Sequence, residues 1–152
     1  MSPGRVVALA VAAERGGEVR AVEQVEVEAG AGIVGDRYHG SRHRHVSLQS
    51  ATDLAAAADD LGVAVPPTST RRNVTVDAGP VPTTPGTRLL VGEGEAAVLL
   101  EVVRVAAPCP VMDRSVAPGA RTALRRRGGA VLRALSSGTV RVGDPVALVP
   151  EP

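Results

Sequence analysis

At 152 residues the chain is long enough to fold as one domain around its own core, without disulfide or metal staples. A formal net charge of +1 gives no whole-chain reason to expect nucleic acid or a strongly acidic partner, and no apolar run approaches the length of a membrane span. Phe and Trp are absent and Tyr occurs once, so Val, Leu and Ala must fill the core and nothing is on hand to stack bases.

All 17 residues of the Lys and Arg total are Arg. Without Lys the chain cannot form a Schiff base, so covalent pyridoxal phosphate is not expected. A single cysteine rules out an internal disulfide and fits a reducing compartment. Arg5 and the apolar run Val6 to Ala13 begin as a signal peptide would, but Glu14 and Arg15 interrupt the run and no small-residue cleavage site follows. The expectation is a cytoplasmic protein that binds neither nucleic acid nor membrane.

In chain order, Val6 to Ala13 reads as a first strand, with a turn at Arg15-Gly16-Gly17-Glu18. Val19 to Glu28 follows, alternating apolar and charged in its second half as a strand with one wet face does, and the two segments predict a hairpin. Ala29 to His45 is a long polar interruption that holds four glycines, three histidines and three arginines, and long loops in compact domains tend to be functional. His45 to Gln49 resumes as a short strand. Ser50 then sits at an N-cap position, with Asp53 three residues on, and opens a helix to about Leu61 that Gly62 can stop. Leu54, Ala57, Ala58 and Leu61 share one face of that helix.

Loops at 66–70 and 80–85 flank a strand over Val74 to Val76. Arg88 to Val91 and Ala96 to Val105 read as a second hairpin, which delivers Cys109. A helix is expected over Ala120 to Arg127, ended by Gly128-Gly129. Val131 to Leu135, Thr139 to Val142 and Val146 to Val149 close the chain as short strands. Many short strands with Gly and Pro turns and two short helices predict a mainly β fold, a small β-barrel with helical decorations, as a single domain.

Cys109 lies between Pro108 and Pro110 at the exit of an apolar strand, with fixed φ on both sides and Arg104 and Arg114 nearby in sequence. Cationic neighbours make thiolate available at neutral pH. A free cysteine also serves as a small buried hydrophobe, and spacing alone does not decide between the two. Arg37, Arg42 and Arg44 in the long loop, and Arg71 and Arg72 before a strand, offer planar forks that grip phosphate or carboxylate. His39, His43 and His45 match no standard ligand spacing, and the interleaved arginines disfavour a second cation. Arg125-Arg126-Arg127 at a helix C-terminus reads as a dipole partner and solvated face. No Gly-x-Ser-x-Gly elbow occurs, which removes the serine-hydrolase reading, whereas a Cys-His thiol hydrolase built on Cys109 stays open.

Several stretches together resemble the MOSC domain, the module named for the C-terminal part of molybdenum cofactor sulfurases. They are Gly32-Ile33-Val34-Gly35-Asp36-Arg37, Val46-Ser47-Leu48, Arg71-Arg72-Asn73-Val74, Pro85 to Gly92, Pro108-Cys109-Pro110 and Gly138 to Asp144. Their order and spacing cover the chain from about Gly32 to Val149. The resemblance implies a β-barrel related to the pyruvate kinase barrel domain, with the cysteine at the mouth of a pocket. It implies that Cys109 ligates the molybdenum of the pterin cofactor (molybdopterin) or carries sulfur to it as a persulfide. By the same resemblance Arg71, Arg72 and Asn73, with Arg37 and Arg42, bind the pterin phosphate or polar ring edges. Asp36 either joins them or braces its loop.

The activities implied are reduction of N-hydroxylated compounds, with an electron-donor protein, or sulfur transfer to the cofactor, with a cysteine desulfurase. A non-catalytic cofactor carrier is the alternative. Full sulfurases add a pyridoxal-phosphate domain and the amidoxime-reducing relatives an N-terminal β-barrel domain. A single MOSC domain over residues 1–152 is expected here.

Overall fold

The computed structural model describes residues 4–107 and 112–150. The first strand, β1 (Gly4–Val11), is paired on both sides, with β6 (Val74–Val76) and with β11 (Pro145–Leu148). From β6 the sheet runs through β5 (Val46–Ser50), β9 (Ala130–Ala134), β8 (Val98–Val105) and β7 (Arg88–Val91) to β11, which closes a ring of seven strands. Closure leaves no row of unpaired backbone groups around the ring. The short strand β2 (Arg20–Val22) adds to β1 outside the ring, and a separate small sheet orders β10 (Gly138–Arg141), β3 (Gln24–Glu28) and β4 (Gly32–Ile33). The fold is mainly β and barrel-like, as expected.

Alternation decides the faces. In β3, Val25 and Val27 are buried while Gln24, Glu26 and Glu28 face solvent, and in β7 Leu89 and Val91 are buried while Arg88 and Leu90 are exposed. The barrel core is accordingly built of Val and Leu from every ring strand, among them Val6, Leu9, Leu48, Val76, Leu89, Leu100, Leu132 and Val146. The expected second segment is broken at Glu23. Its first part pairs with β1 as a hairpin, Leu9 opposite Val22, and its second part leaves for the small sheet.

β5 and β6 run parallel, and parallel neighbours need a crossover. It is supplied by α1 (Ala51–Leu61) and a 3-10 turn over Pro67–Thr70. The Ser50 hydroxyl accepts from the Thr52 and Asp53 N–H groups, and Gly62 stops α1 at φ 71°. Leu54 and Ala57 of α1 pack on Met112, Ala120 and Leu124, forming a second apolar cluster outside the barrel. Met112 belongs to a helical turn, α2 (Met112–Ser115), that the sequence reading had not placed.

The helix expected over Ala120 to Arg127 is shorter, α3 (Ala120–Ala123). Beyond it the bonds tighten to i→i+3, Arg125 N–H to Thr122 O and Arg127 N–H to Leu124 O, and Arg126 takes φ 63°. The Gly128-Gly129 pair then returns the chain to the barrel. A Cβ on Gly129 would lie 1.8 Å from the Leu48 carbonyl oxygen, and its φ is +87°. No helix among the described residues is long and apolar enough to cross a membrane.

Candidate functional site

At one end of the barrel the turn after β1, the long loop before β5 and the chain before β6 converge on a pocket of about 210 Å³. Among the described residues five arginines line it, Arg15, Arg37, Arg44, Arg71 and Arg72, and no carboxylate does. Tyr38, Thr70 and Met112 complete the wall. Five like charges around so small a volume raise each other's energy, and an anion in the pocket relieves that cost.

The loop is braced from below by Asp36. Its carboxylate is wholly buried and accepts from the Ala12 N–H at 3.1 Å, the Tyr38 N–H at 3.3 Å and Arg37 Nη1 at 3.2 Å. The Arg37 N–H in turn donates to Ala12 O at 2.7 Å. An Asp at such a position holds backbone, the loop-bracing role that the sequence left open. Arg37, only 6 % exposed in its side chain, donates Nη2 to the Arg71 carbonyl at 3.1 Å and so ties the two pocket loops together.

Tyr38, the one aromatic residue of the chain, supports three guanidinium groups, Arg44 at 4.3 Å, Arg37 at 4.7 Å and Arg15 at 5.6 Å from the ring centre. Stacking on one ring holds flexible side chains in place and lowers the ordering cost when a ligand arrives.

Arg71 and Arg72 are neighbours with different roles. Arg72 is 5 % exposed and donates Nε to Gly128 O at 3.0 Å and Nη2 to Ala107 O at 3.2 Å. Arg71 has a left-handed backbone, φ 64°, which costs a non-glycine residue about 1 kcal/mol. It donates Nη1 to Gly17 O at 2.9 Å, while Nη2 is buried with no hydrogen-bond partner among the described residues. A buried cationic donor left unmatched is expensive and marks where an acceptor belongs.

Asn73 is spent within the barrel wall. Its Oδ1 accepts from the Ser47 N–H and hydroxyl, both at 3.1 Å, its Nδ2 donates to Ala10 O at 3.1 Å, and its N–H donates to the Ser47 hydroxyl. Arg42 is exposed and does not line the pocket. The sequence reading had not put Arg15, Arg44 or Tyr38 in the site, although Arg44 had been noted in the loop cluster. Arg15 had been read only as part of a turn.

The histidines part company. His45 is buried, its Nδ1 accepting from the Ala134 N–H at 2.9 Å and its Nε2 2.8 Å from Ser41 O, which fixes the proton on Nε2. His39 Nε2 is 3.4 Å from Glu28, and exposed His43 lines a shallow groove with Glu101 and Arg133. Among the described residues no three His, Cys, Asp or Glu side chains are grouped to hold a metal.

Cys109 lies outside the described residues, as do its neighbours in segment 108–111. Of the residues that bound the segment, one lines the pocket and the other is bonded to an arginine that does. Ala107 gives its carbonyl to Arg72, and Met112, 1 % exposed, lines the cavity.

A closed β-barrel with an arginine-lined pocket at a strand exit defines the class, and the family model for the MOSC domain matches residues 35–147. The chain belongs to the MOSC domain family. Its fold is similar to that of the YuaD protein of Bacillus subtilis, at TM-score 0.76 and 20 % identity over 95 % of this chain and 94 % of that one. It is also similar to YiiM of Geobacillus stearothermophilus, at 0.72 and 15 % over 97 % and 75 %, and to YiiM of Escherichia coli, at 0.70 and 15 % over 97 % and 71 %. No curated protein matches the sequence.

Proposed function

We propose that this protein binds the molybdenum cofactor, with the arginine pocket taking the phosphate and polar edge of the pterin and Cys109 serving as molybdenum ligand or persulfide sulfur carrier. The observation that carries the reading is the buried Nη2 of Arg71, without a partner among the described residues, in a pocket whose described lining has five arginines and no carboxylate. The donor set fits the group. Guanidinium forks match phosphate and carbonyl oxygens, and the one soft donor among the described lining residues is the neutral thioether of Met112, which leaves the thiolate ligand to Cys109. Membership of the MOSC family supports the same assignment.

Arg71, Arg37, Arg44 and Arg15 hold the anion, Arg72 adds charge from the wall, and Asp36, Asn73 and Tyr38 set the positions of the others. The bound cofactor supplies redox chemistry that no side chain has. Reduction of an N-hydroxylated compound consumes two electrons and two protons and yields the amine and water. The electrons come from an electron-donor protein, because the chain carries no flavin, haem or iron–sulfur motif. Sulfur transfer draws instead on a cysteine desulfurase. In either case we place the protein in the cytoplasm.

Metal and pterin analysis of protein made in a host that synthesises the cofactor tests this, wild type beside Cys109→Ser. Molybdenum and oxidised-pterin fluorescence in the wild type, with molybdenum lost in the variant, is the expected result. Pterin and molybdenum both kept in the variant assign the binding to the arginines and leave Cys109 to sulfur carriage. Neither molybdenum nor pterin in the wild type overturns the reading.

A further inference from the structure

Segment 105–107 borders a second cavity. It measures about 500 Å³, more than twice the volume of the first, and its size is within the range usual for small-molecule sites. Val105, Ala106 and Ala107 form part of its wall, and Arg121, Arg125 and Arg126 most of the rest, with Thr122. Arg72 links the two cavities, lining the first and bonding to the Ala107 carbonyl in the wall of the second.

The three arginines are exposed, and none is ion-paired with a described carboxylate. Other arginines in the molecule are paired, Arg127 with Asp60 and both Arg88 and Arg133 with Glu101. No carboxylate is among the described residues that line the cavity. Arg121 stands in α3 and Arg125 in the tighter turn after it, and both border the same volume. The left-handed backbone of Arg126 bends the chain there, so a third guanidinium borders the same volume. No aromatic residue lines the cavity, so recognition would rest on charge and hydrogen bonds.

We propose that this cavity is a second oxyanion site, separate from the arginine pocket, which takes a small ligand bearing phosphate or several carboxylates. The inference does not depend on what fills the first pocket. Arginine forks bind both oxyanions by the same paired hydrogen bonds, so the probe must tell them apart.

Calorimetric titration with inorganic pyrophosphate and, separately, citrate tests the proposal on three proteins: wild type, the Arg121→Gln/Arg125→Gln double variant and Arg71→Gln. Both variants are checked for folding by thermal melting beside the wild type. The wild type is expected to show two sites. The double variant should lose one of them by at least about tenfold and keep the other, and Arg71→Gln should do the reverse. Heat from pyrophosphate alone assigns a phosphate ligand, heat from citrate alone a carboxylate ligand, and heat from both a general oxyanion site. A double variant that titrates as the wild type does, or a wild type with no site sensitive to Arg121 and Arg125, overturns the proposal. Loss confined to Arg71→Gln would do so while leaving the first pocket intact as a reading.

Discussion

Two polar regions meet at Arg71-Arg72-Asn73, and they are built in opposite ways. In the seam between β5, β6 and the 3-10 turn, each polar side chain is matched. Asn73 and Ser47 exchange hydrogen bonds, Gln49 donates to Thr75 and Pro67, and the Thr70 hydroxyl donates to Gln49 Oε1. In the pocket beside it, guanidinium groups crowd one ring and one volume, and Arg71 Nη2 has no described partner. A satisfied buried network specifies one structure, whereas an unsatisfied one keeps binding capacity in reserve at a cost in stability. The seam holds the wall together, and on the function proposed the pocket binds.

The largest loss of stability is expected beside the seam, where Gly129 meets β5 from the β9 side. Gly129→Ala places a methyl against the Leu48 carbonyl and forces a positive φ on alanine, and should cost about 3 kcal/mol or more in urea unfolding. Asn73→Ala should follow at about 2 kcal/mol, because it strands the Ser47 N–H and Ala10 carbonyl inside the wall.

Arg71→Gly sharpens the contrast. It relieves the left-handed strain and removes a half-buried guanidinium with an unpartnered Nη2, so thermal stability should hold or rise by about 1 kcal/mol while anion binding falls at least about tenfold. A parallel loss of stability and binding would erase the distinction between the two regions.

The smallest effect is expected at Glu101, where the arginines are matched by a carboxylate. Hydrogen bonds from Arg88 and then Arg133 hold its carboxyl below the usual range, against the opposing push of burial. Its contribution is therefore present above the ordinary Glu value and is lost as pH falls through the depressed one. Glu101→Gln should destabilise by about 1 kcal/mol at neutral pH, with the difference from wild type closing in acid.

Much of the fold was legible because local physics marks it. Val25 and Val27 alternate with charged neighbours, Ser50 caps α1 and Gly62 ends it. The barrel was expected, but not which strands close it, since β1 joins β11 across nearly the whole chain, Gly4 opposite Val146. The length of the helix at Ala120 was overread because nothing local announces the tightening at Arg125 or the positive φ of Arg126.

The site was legible in part. Arg37, Arg71 and Arg72 do line the pocket. Arg42 and Arg44 look equivalent in sequence, but Arg44 packs on Tyr38 and Arg42 faces solvent. Arg15 reaches the pocket from a turn that only the folded β1 brings near. A lone Tyr among arginines was the available signal.

The most direct measurement of the central claim is pterin content per mole of protein for wild type, Arg71→Gln and Arg42→Gln, made in a cofactor-producing host. The account predicts oxidised-pterin fluorescence at least about tenfold lower in Arg71→Gln and unchanged in Arg42→Gln. Full retention in Arg71→Gln, or loss in Arg42→Gln, would contradict it.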